Sequence, residues 1–156
     1  MSTRNLEHLF APQSVVLIGA SDRPHSVGAT VLSNLLSGRA PDRVGDSIMA
    51  VNPRYHELLG LPVYPDVRSL PIVPELAVIA TPPESVPGLV AELAAKGTRA
   101  AVVLSAGMHR DHGDGRSHQQ AMLDAARPSL LRILGPNCVG LIAPRSHLNE
   151  IVRAHV

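Results

Sequence analysis

The chain has 156 residues, which is enough for one ordinary domain and leaves little room for a second. Hydrophobic residues make up 45% of it but aromatic residues only 2%, which argues against a nucleic-acid reader that stacks bases on aromatic side chains. The 14 basic and 13 acidic side chains leave a net charge of +1, so bulk charge predicts neither a nucleic-acid partner nor an anionic membrane.

The single cysteine, Cys138, excludes an internal disulfide and is typical of a protein from a reducing cytoplasm. Residues 1–10 lack the apolar core of a signal peptide, and no apolar run is long enough to cross a bilayer. The eight histidines follow no metal-ligand spacing, so no metal site is predicted. We therefore predict a cytoplasmic protein without a membrane partner.

Five short apolar runs, each bounded by turn residues, are typical of strands buried on both faces. They cover residues 14–18, 47–51, 76–80, 100–104 and 130–134. Helical spacing of apolar residues predicts helices at about residues 5–10, from Ser26 as N-cap to Gly38, from Val86 to a cap at Gly97, and at about 116–127. The proline-rich segment 54–74 is expected to be a long crossover with one short edge strand around residues 62–64.

This alternation of strands and helices predicts an α/β fold. Its expected form is a Rossmann-like, doubly wound and mainly parallel sheet of five to six strands flanked by helices. We expect a single domain over residues 1–145, followed by a tail or a domain boundary at residues 146–156.

The loop after the first strand is the best functional clue. Gly19 ends the strand, Ser26 begins the next helix, and Gly28 lets that helix pack closely against the sheet. Because a helix N-terminus favours phosphate, the loop is a candidate phosphate site. The alternative is that the glycines only shape the turn, since the spacing is not that of the GxGxxG dinucleotide motif.

The second strand is followed by Asn52, Pro53 and Arg54, with no carboxylate before Glu57. An NAD-binding Rossmann unit places an acidic residue here to hold the ribose hydroxyls, so NAD is disfavoured. Arg54 suits an additional phosphate, either the 3′-phosphate of coenzyme A or the 2′-phosphate of NADP. The alternative is a solvated surface arginine.

The later strands end in small or rigid residues. Thr81, Pro82 and Pro83 follow the third strand, and Ser105, Ala106 and Gly107 follow the fourth, where a flat ring or a thin chain could lie against the backbone. Ordinary loop chemistry is the alternative at both places. The fifth strand leads into a turn with Asn137 and Cys138, and we expect Cys138 to be a small buried residue rather than a nucleophile. No catalytic residue is predicted.

Taken in chain order, these segments resemble the CoA-binding domain of NDP-forming acyl-CoA synthetases, which also opens the α subunit of succinyl-CoA synthetase. The resemblance covers about residues 5–145. It is carried by residues 16–21 with 26–28, 51–53, 76–82, 103–107 and 134–140.

The resemblance implies that the cofactor is coenzyme A or an acyl-CoA, and it implies roles for particular residues. Ser21, Arg23, Ser26, Val27 and Gly28 would surround the CoA phosphates. Arg54 matches a CoA-contacting lysine of the succinyl enzyme. Thr81 to Pro83 and Ser105 to Gly107 would border the adenine and pantetheine path, and Asn137 and Cys138 would lie near the thiol end.

The resemblance also implies partners. In the family, acyl-CoA, NDP and phosphate interconvert with acid, CoA and NTP through phosphohistidine and ATP-grasp domains or subunits, which these 156 residues do not contain. The chain is therefore expected to bind CoA without completing the reaction alone. Two alternatives stay open: an acyl-CoA-sensing regulatory domain of a GNAT-type protein acetyltransferase, and an NADP-binding domain. Association of identical copies is also left open.

Overall fold

The computed structural model describes residues 3–38 and 47–152, so parts of the predicted domain and tail, residues 1–2, 39–46 and 153–156, lie outside the described residues. The strands are β1 (Ser14–Ile18), β2 (Ser47–Val51), β3 (Glu57–Leu58), β4 (Leu61–Tyr64), β5 (Leu76–Ile79), β6 (Ala100–Val103), β7 (Arg132–Leu134), β8 (Ile142–Ala143) and β9 (Leu148–Asn149). The α-helices are α1 (Leu6–Phe10), α2 (Val27–Gly38), α3 (Val86–Lys96) and α4 (His118–Ala126).

Strands β1 to β7 form one sheet, in the order β3-β4-β2-β1-β5-β6-β7. All neighbouring pairs in it are parallel apart from β3 with β4. Counted along the chain, the parallel strands follow the order third, second, first, fourth, fifth, sixth, which is the Rossmann order. The predicted Rossmann-like, doubly wound α/β fold is therefore confirmed.

The outer part of the sheet differs from the prediction. The strand expected at the edge, β4, pairs with β2 on one side and with the antiparallel β3 on the other, so the sheet has seven strands rather than five or six. Leu59 and Gly60 have φ angles of 49° and 80°, which is the backbone of a tight two-residue hairpin turn. This turn folds β3 back onto β4, where the sequence predicted a long crossover with a single short edge strand.

The sheet is covered on both faces, which explains its continuous apolar strands. On one face, α3 and α4 pack over alternate residues such as Val16 and Ile18. On the other face, α1, α2 and the hairpin of β8 and β9 pack over residues such as Val15 and Leu17. All five residues of β1 are buried as a result.

Two predicted helix ends are confirmed. The Oγ of Ser26 accepts a hydrogen bond of 3.2 Å from the Ala29 N–H in the first turn of α2. Gly97 ends α3 with a φ of 105°, in the left-handed region that favours glycine. Within residues 3–38 and 47–152, none of the helices has the length and apolar character needed to cross a membrane.

Candidate functional site

The carboxyl ends of the parallel strands lie side by side at one edge of the sheet. Ile18 pairs with both Val51 and Ile79, and Ile79 pairs with Val103, so β1, β2, β5 and β6 end at the same level. The strand order reverses between β1 and β5, and open α/β sheets bind ligands outside the strand ends at such a reversal. The predicted site residues belong to the loops that leave this edge.

The loop after β1 brings the N-terminus of α2 close to the sheet. The Gly19 N–H donates to the Val51 carbonyl at 2.9 Å, and Gly19 has a φ of 92°. A Cβ on Gly19 would lie 2.5 Å from the Ala80 carbonyl oxygen, and a Cβ on Gly28 would overlap the carbonyl oxygen of Gly19. The two glycines therefore allow close packing as well as the turn, which places the positive end of α2 at the strand reversal.

Side chains join this loop to the turn after β2. Asn52 Nδ2 donates to the Ala20 carbonyl at 2.8 Å, and Asn52 Oδ1 accepts from the Arg54 N–H at 2.9 Å. The Tyr55 hydroxyl donates to Asp22 Oδ1 at 2.7 Å. Pro53, Arg54 and Arg23 are exposed around these contacts, so both arginine side chains face solvent.

Sequence reasoning missed Tyr55 and Asp22 as members of the site. Their contact joins residues 33 positions apart, which spacing along the chain does not reveal. The available signal was compositional: the chain has two tyrosines, and one of them directly follows the candidate phosphate partner Arg54.

A cleft of about 430 Å³ opens between the start of α2 and the loops after β5, β6 and β7. Its lining includes six predicted site residues: Val27, Thr81, Ser105, Ala106, Asn137 and Cys138. Ala80, Leu104, Val139 and Val152 complete the lining. The other predicted residues, Gly19, Ser21, Arg23, Ser26, Gly28, Asn52, Pro53, Arg54, Pro82, Pro83 and Gly107, lie outside this lining.

Ser105 holds the cleft loops together. Its hydroxyl donates to the Thr81 carbonyl at 2.5 Å, and its own carbonyl accepts from the Asn137 N–H at 3.1 Å. Ser105 is buried, so the loops after β5, β6 and β7 are joined through one residue at the base of the cleft. Beside it, a Cβ on Gly107 would lie 3.5 Å from Pro83 Cγ, which places those two predicted residues next to each other.

The thiol of Cys138 lies in the cleft wall. Its Sγ donates to the Val103 carbonyl oxygen at 3.4 Å, and the side chain is half-buried. Because a thiol must be protonated to donate and the thiolate is the nucleophilic form, this contact favours the packing role that the sequence predicted.

Comparison with known proteins identifies the family. Residues 13–144 match the family model described as a CoA binding domain. This chain belongs to the CoA binding domain family. The match spans the whole carboxyl edge of the sheet, from the loop after β1 to the turn after β7. Family membership and the CoA ligases among the relatives support coenzyme A as the cofactor.

Similar proteins are ligases that are longer than this domain. The chain is 35% identical over 144 residues to acetate–CoA ligase [ADP-forming] I of Archaeoglobus fulgidus, covering 92% of the chain and 20% of that protein. It is 40% identical over 139 residues to a trans-feruloyl-CoA synthase of an unknown prokaryotic organism, covering 89% of the chain and 19% of that protein. The CoA binding domain therefore spans about a fifth of these two relatives.

The fold is also similar to that of a solved synthetase. Dinucleotide forming acetyl-coenzyme A synthetase 1 of Ca. Korarchaeum cryptofilum, in complex with phosphate and ADP, superposes with a TM-score of 0.82 at 31% identity. The superposition covers 94% of this CoA binding domain and 30% of the synthetase chain. The chain thus resembles the CoA-binding region of ADP-forming acyl-CoA synthetases, and these relatives give no support to the acetyltransferase-associated or NADP-binding alternatives.

Proposed function

We propose that this chain is the CoA-binding module of an ADP-forming acyl-CoA synthetase. The observation that carries the proposal is the family match over residues 13–144, which includes every loop at the strand reversal. In this proposal the chain binds CoA, and phosphoryl transfer belongs to the phosphohistidine and ATP-grasp domains or subunits of the parent enzyme. A Pyrococcus furiosus relative named as an α subunit, 31% identical over 144 residues, supports a multi-subunit parent.

The phosphates of CoA would occupy the region between the loop after β1 and the turn after β2. The N-terminus of α2 supplies a partial positive charge and free N–H groups, both of which favour an anion. Arg23 and Arg54 are exposed on the two sides of this region, and arginine pairs with phosphate through charge-assisted hydrogen bonds. We assign the 3′-phosphate to Arg54 and the pyrophosphate to the α2 end.

The pantetheine arm would follow the cleft. Thr81, Ser105 and Ala106 present small side chains or backbone there, which suits a thin chain with amide groups. Asn137 and Cys138 line the far wall and would lie at the thiol end. A volume of about 430 Å³ accommodates part of an elongated ligand and leaves its nucleotide end outside, near the arginines.

Calorimetric titration tests the proposal. We expect CoA to bind, dephospho-CoA to bind more weakly, and NADP to give no heat. Replacing Arg54 with alanine is expected to weaken CoA binding about tenfold, because one charge-assisted contact with the 3′-phosphate is lost. The same substitution should leave dephospho-CoA binding unchanged within about twofold, because that ligand lacks the phosphate.

Arg68 provides a matched control. Arg68 is an exposed arginine, and its backbone carbonyl accepts a hydrogen bond from Lys96 at the C-terminal end of α3. That end of α3 leads into the start of β6, at the edge of the sheet opposite the strand ends that form the candidate site. Arg68→Ala should leave CoA affinity unchanged. Absence of CoA binding to the unaltered chain would contradict the proposed function. An equal loss of CoA and dephospho-CoA binding in Arg54→Ala would contradict the assignment of the 3′-phosphate.

A further inference from the structure

The loop proposed to hold the CoA phosphates carries a negative charge of its own. Asp22 is exposed and lies between the end of β1 and the N-terminus of α2, next to Arg23. A carboxylate close to a phosphate repels it, and the repulsion is strongest where protein partly replaces water. A phosphate site at this position therefore requires that the Asp22 carboxylate be held in a direction that does not oppose the ligand.

Tyr55 supplies the contact that fixes this direction. Its hydroxyl donates to Asp22 Oδ1 at 2.7 Å and lies 3.4 Å from Ser21 Oγ. The same Ser21 Oγ accepts the backbone N–H of Arg23 at 3.0 Å. One hydroxyl thus contacts two consecutive residues of the loop, directly before the bend at Arg23 that leads to α2.

The tyrosine is itself held firmly. Its side chain is half-buried and packs against the apolar cluster on the α2 face of the sheet. Its backbone belongs to the turn that Asn52 closes, and Asn52 also donates to the Ala20 carbonyl at 2.8 Å. Packing holds the ring and hydrogen bonds hold the turn. The hydroxyl therefore has a defined position from which it contacts the loop after β1.

We propose that Tyr55 is a positioning residue for the phosphate loop, whose hydroxyl engages the Asp22 carboxylate and keeps its charge away from the phosphates of CoA. This inference rests on the proposed function. It makes the role of Tyr55 conditional on the charge of Asp22. Without the hydroxyl, the Asp22 carboxylate loses its hydrogen bond and repels the ligand, and without the carboxylate there is no charge for the hydroxyl to position.

A double-mutant cycle tests this dependence. The dissociation constants of CoA, pantetheine and inorganic pyrophosphate are measured for the unaltered chain, Tyr55→Phe, Asp22→Asn and the double variant. We expect Tyr55→Phe to weaken CoA and pyrophosphate binding about fivefold to tenfold. In the Asp22→Asn background, the same change should alter both by less than about twofold. Binding of pantetheine, which lacks phosphate, should not change in any variant.

Tyr64→Phe is the matched control. It removes the other tyrosine hydroxyl of the chain, on β4, where the side chain packs against the cluster on the opposite face of the sheet. It should bind CoA as the unaltered chain does. Melting temperatures of all variants establish that each is folded, so that unfolding cannot be the cause of a loss of affinity.

Two results would overturn the inference alone. One is CoA affinity in Tyr55→Phe equal to that of the unaltered chain, and the other is an equal loss with and without the Asp22 carboxylate. If the unaltered chain binds pyrophosphate in a Tyr55-dependent manner but not CoA, the proposed function fails and the positioning role stands. If the unaltered chain binds neither CoA nor pyrophosphate, both are overturned.

Discussion

Replacing Glu150 with glutamine is expected to stabilise the protein by about 2 kcal/mol near pH 6 and by more at alkaline pH. Glu150 is fully buried, and neither of its carboxyl oxygens has a hydrogen-bond partner among the described residues. Burial raises the pKa of its carboxyl from 4.5 to about 8. The residue follows β9, which packs against α2, and residues 27–38 of that helix contain no ionisable side chain to compensate a charge.

The sign of the effect follows from proton binding. Between pH 4.5 and pH 8 the folded state keeps a proton on Glu150 that the unfolded state has lost. The free energy of unfolding is therefore greatest below pH 4.5, falls as the pH rises to 8, and is constant above it as far as this group is concerned. The total loss is on the order of 3 to 5 kcal/mol. Glutamine cannot ionise, so Glu150→Gln should not show this loss.

Denaturant unfolding from pH 6 to pH 9 measures the difference. We expect the gap between Glu150→Gln and the unaltered chain to grow by about 2 to 3 kcal/mol over this range, since one pKa unit corresponds to 1.36 kcal/mol. Glu84→Gln is the matched control, because Glu84 is exposed, and its curve should parallel that of the unaltered chain. Curves for Glu150→Gln and the unaltered chain that stay parallel would contradict a protonated buried carboxyl.

The range from pH 6 to pH 9 also avoids an opposing change in the free energy of unfolding that occurs in acid. A side-chain hydrogen bond from Arg116 lowers the pKa of Asp114 below its ordinary value. A lowered carboxyl pKa contributes stability that is present above the unfolded value and is lost as the pH falls. Because that loss occurs in acid, well below pH 6, it does not enter the comparison of Glu150 variants.

The inner strands could be predicted because most of their residues are buried. Residues 14–18 and 47–51 form β1 and β2 as predicted, since a parallel sheet covered on both faces admits only apolar runs. The run 130–134 is also largely apolar, yet β7 begins at Arg132. Leu130 instead adopts a φ of 56° as the C-cap of a short 3₁₀ turn and is exposed. Apolar composition does not reveal where the backbone reverses before a strand.

The arrangement of the candidate site was predictable where it depends on strand ends and not where it depends on contacts across loops. The residues after β5, β6 and β7 converge on one cleft because parallel strands end at one edge, which any Rossmann order requires. The Tyr55 contact with Asp22 depends on how two loops face each other, and the burial of Glu150 depends on how the last hairpin packs against α2. Both are consequences of tertiary packing that local sequence patterns do not encode.

Gly28→Ala is expected to lower the free energy of unfolding by about 2 to 3 kcal/mol, because the new methyl group overpacks a tight backbone contact. A Cβ at this position would overlap the Gly19 carbonyl oxygen and lie 3.3 Å from the Ser21 backbone nitrogen. Both neighbours are backbone atoms, and Gly19 is held by its hydrogen bond to Val51. The first turn of α2 must therefore move away from the loop, and CoA affinity should fall together with stability if the helix end holds the phosphates.

Gly88→Ala is the matched control. It measures the ordinary effect of replacing a glycine within a helix, without the backbone contact found at Gly28. Gly88 lies in the first turn of α3, is exposed, and has no atom within 4 Å of where its Cβ would be. Alanine there should raise the free energy of unfolding by about 0.4 to 1 kcal/mol, because it restricts the unfolded chain without strain in the helix. Urea unfolding of both variants should give midpoints that move in opposite directions with similar slopes. A midpoint for Gly28→Ala that does not fall would mean that α2 does not rest on the Gly19 carbonyl. The close approach of its N-terminus to the strand reversal would then lose its support.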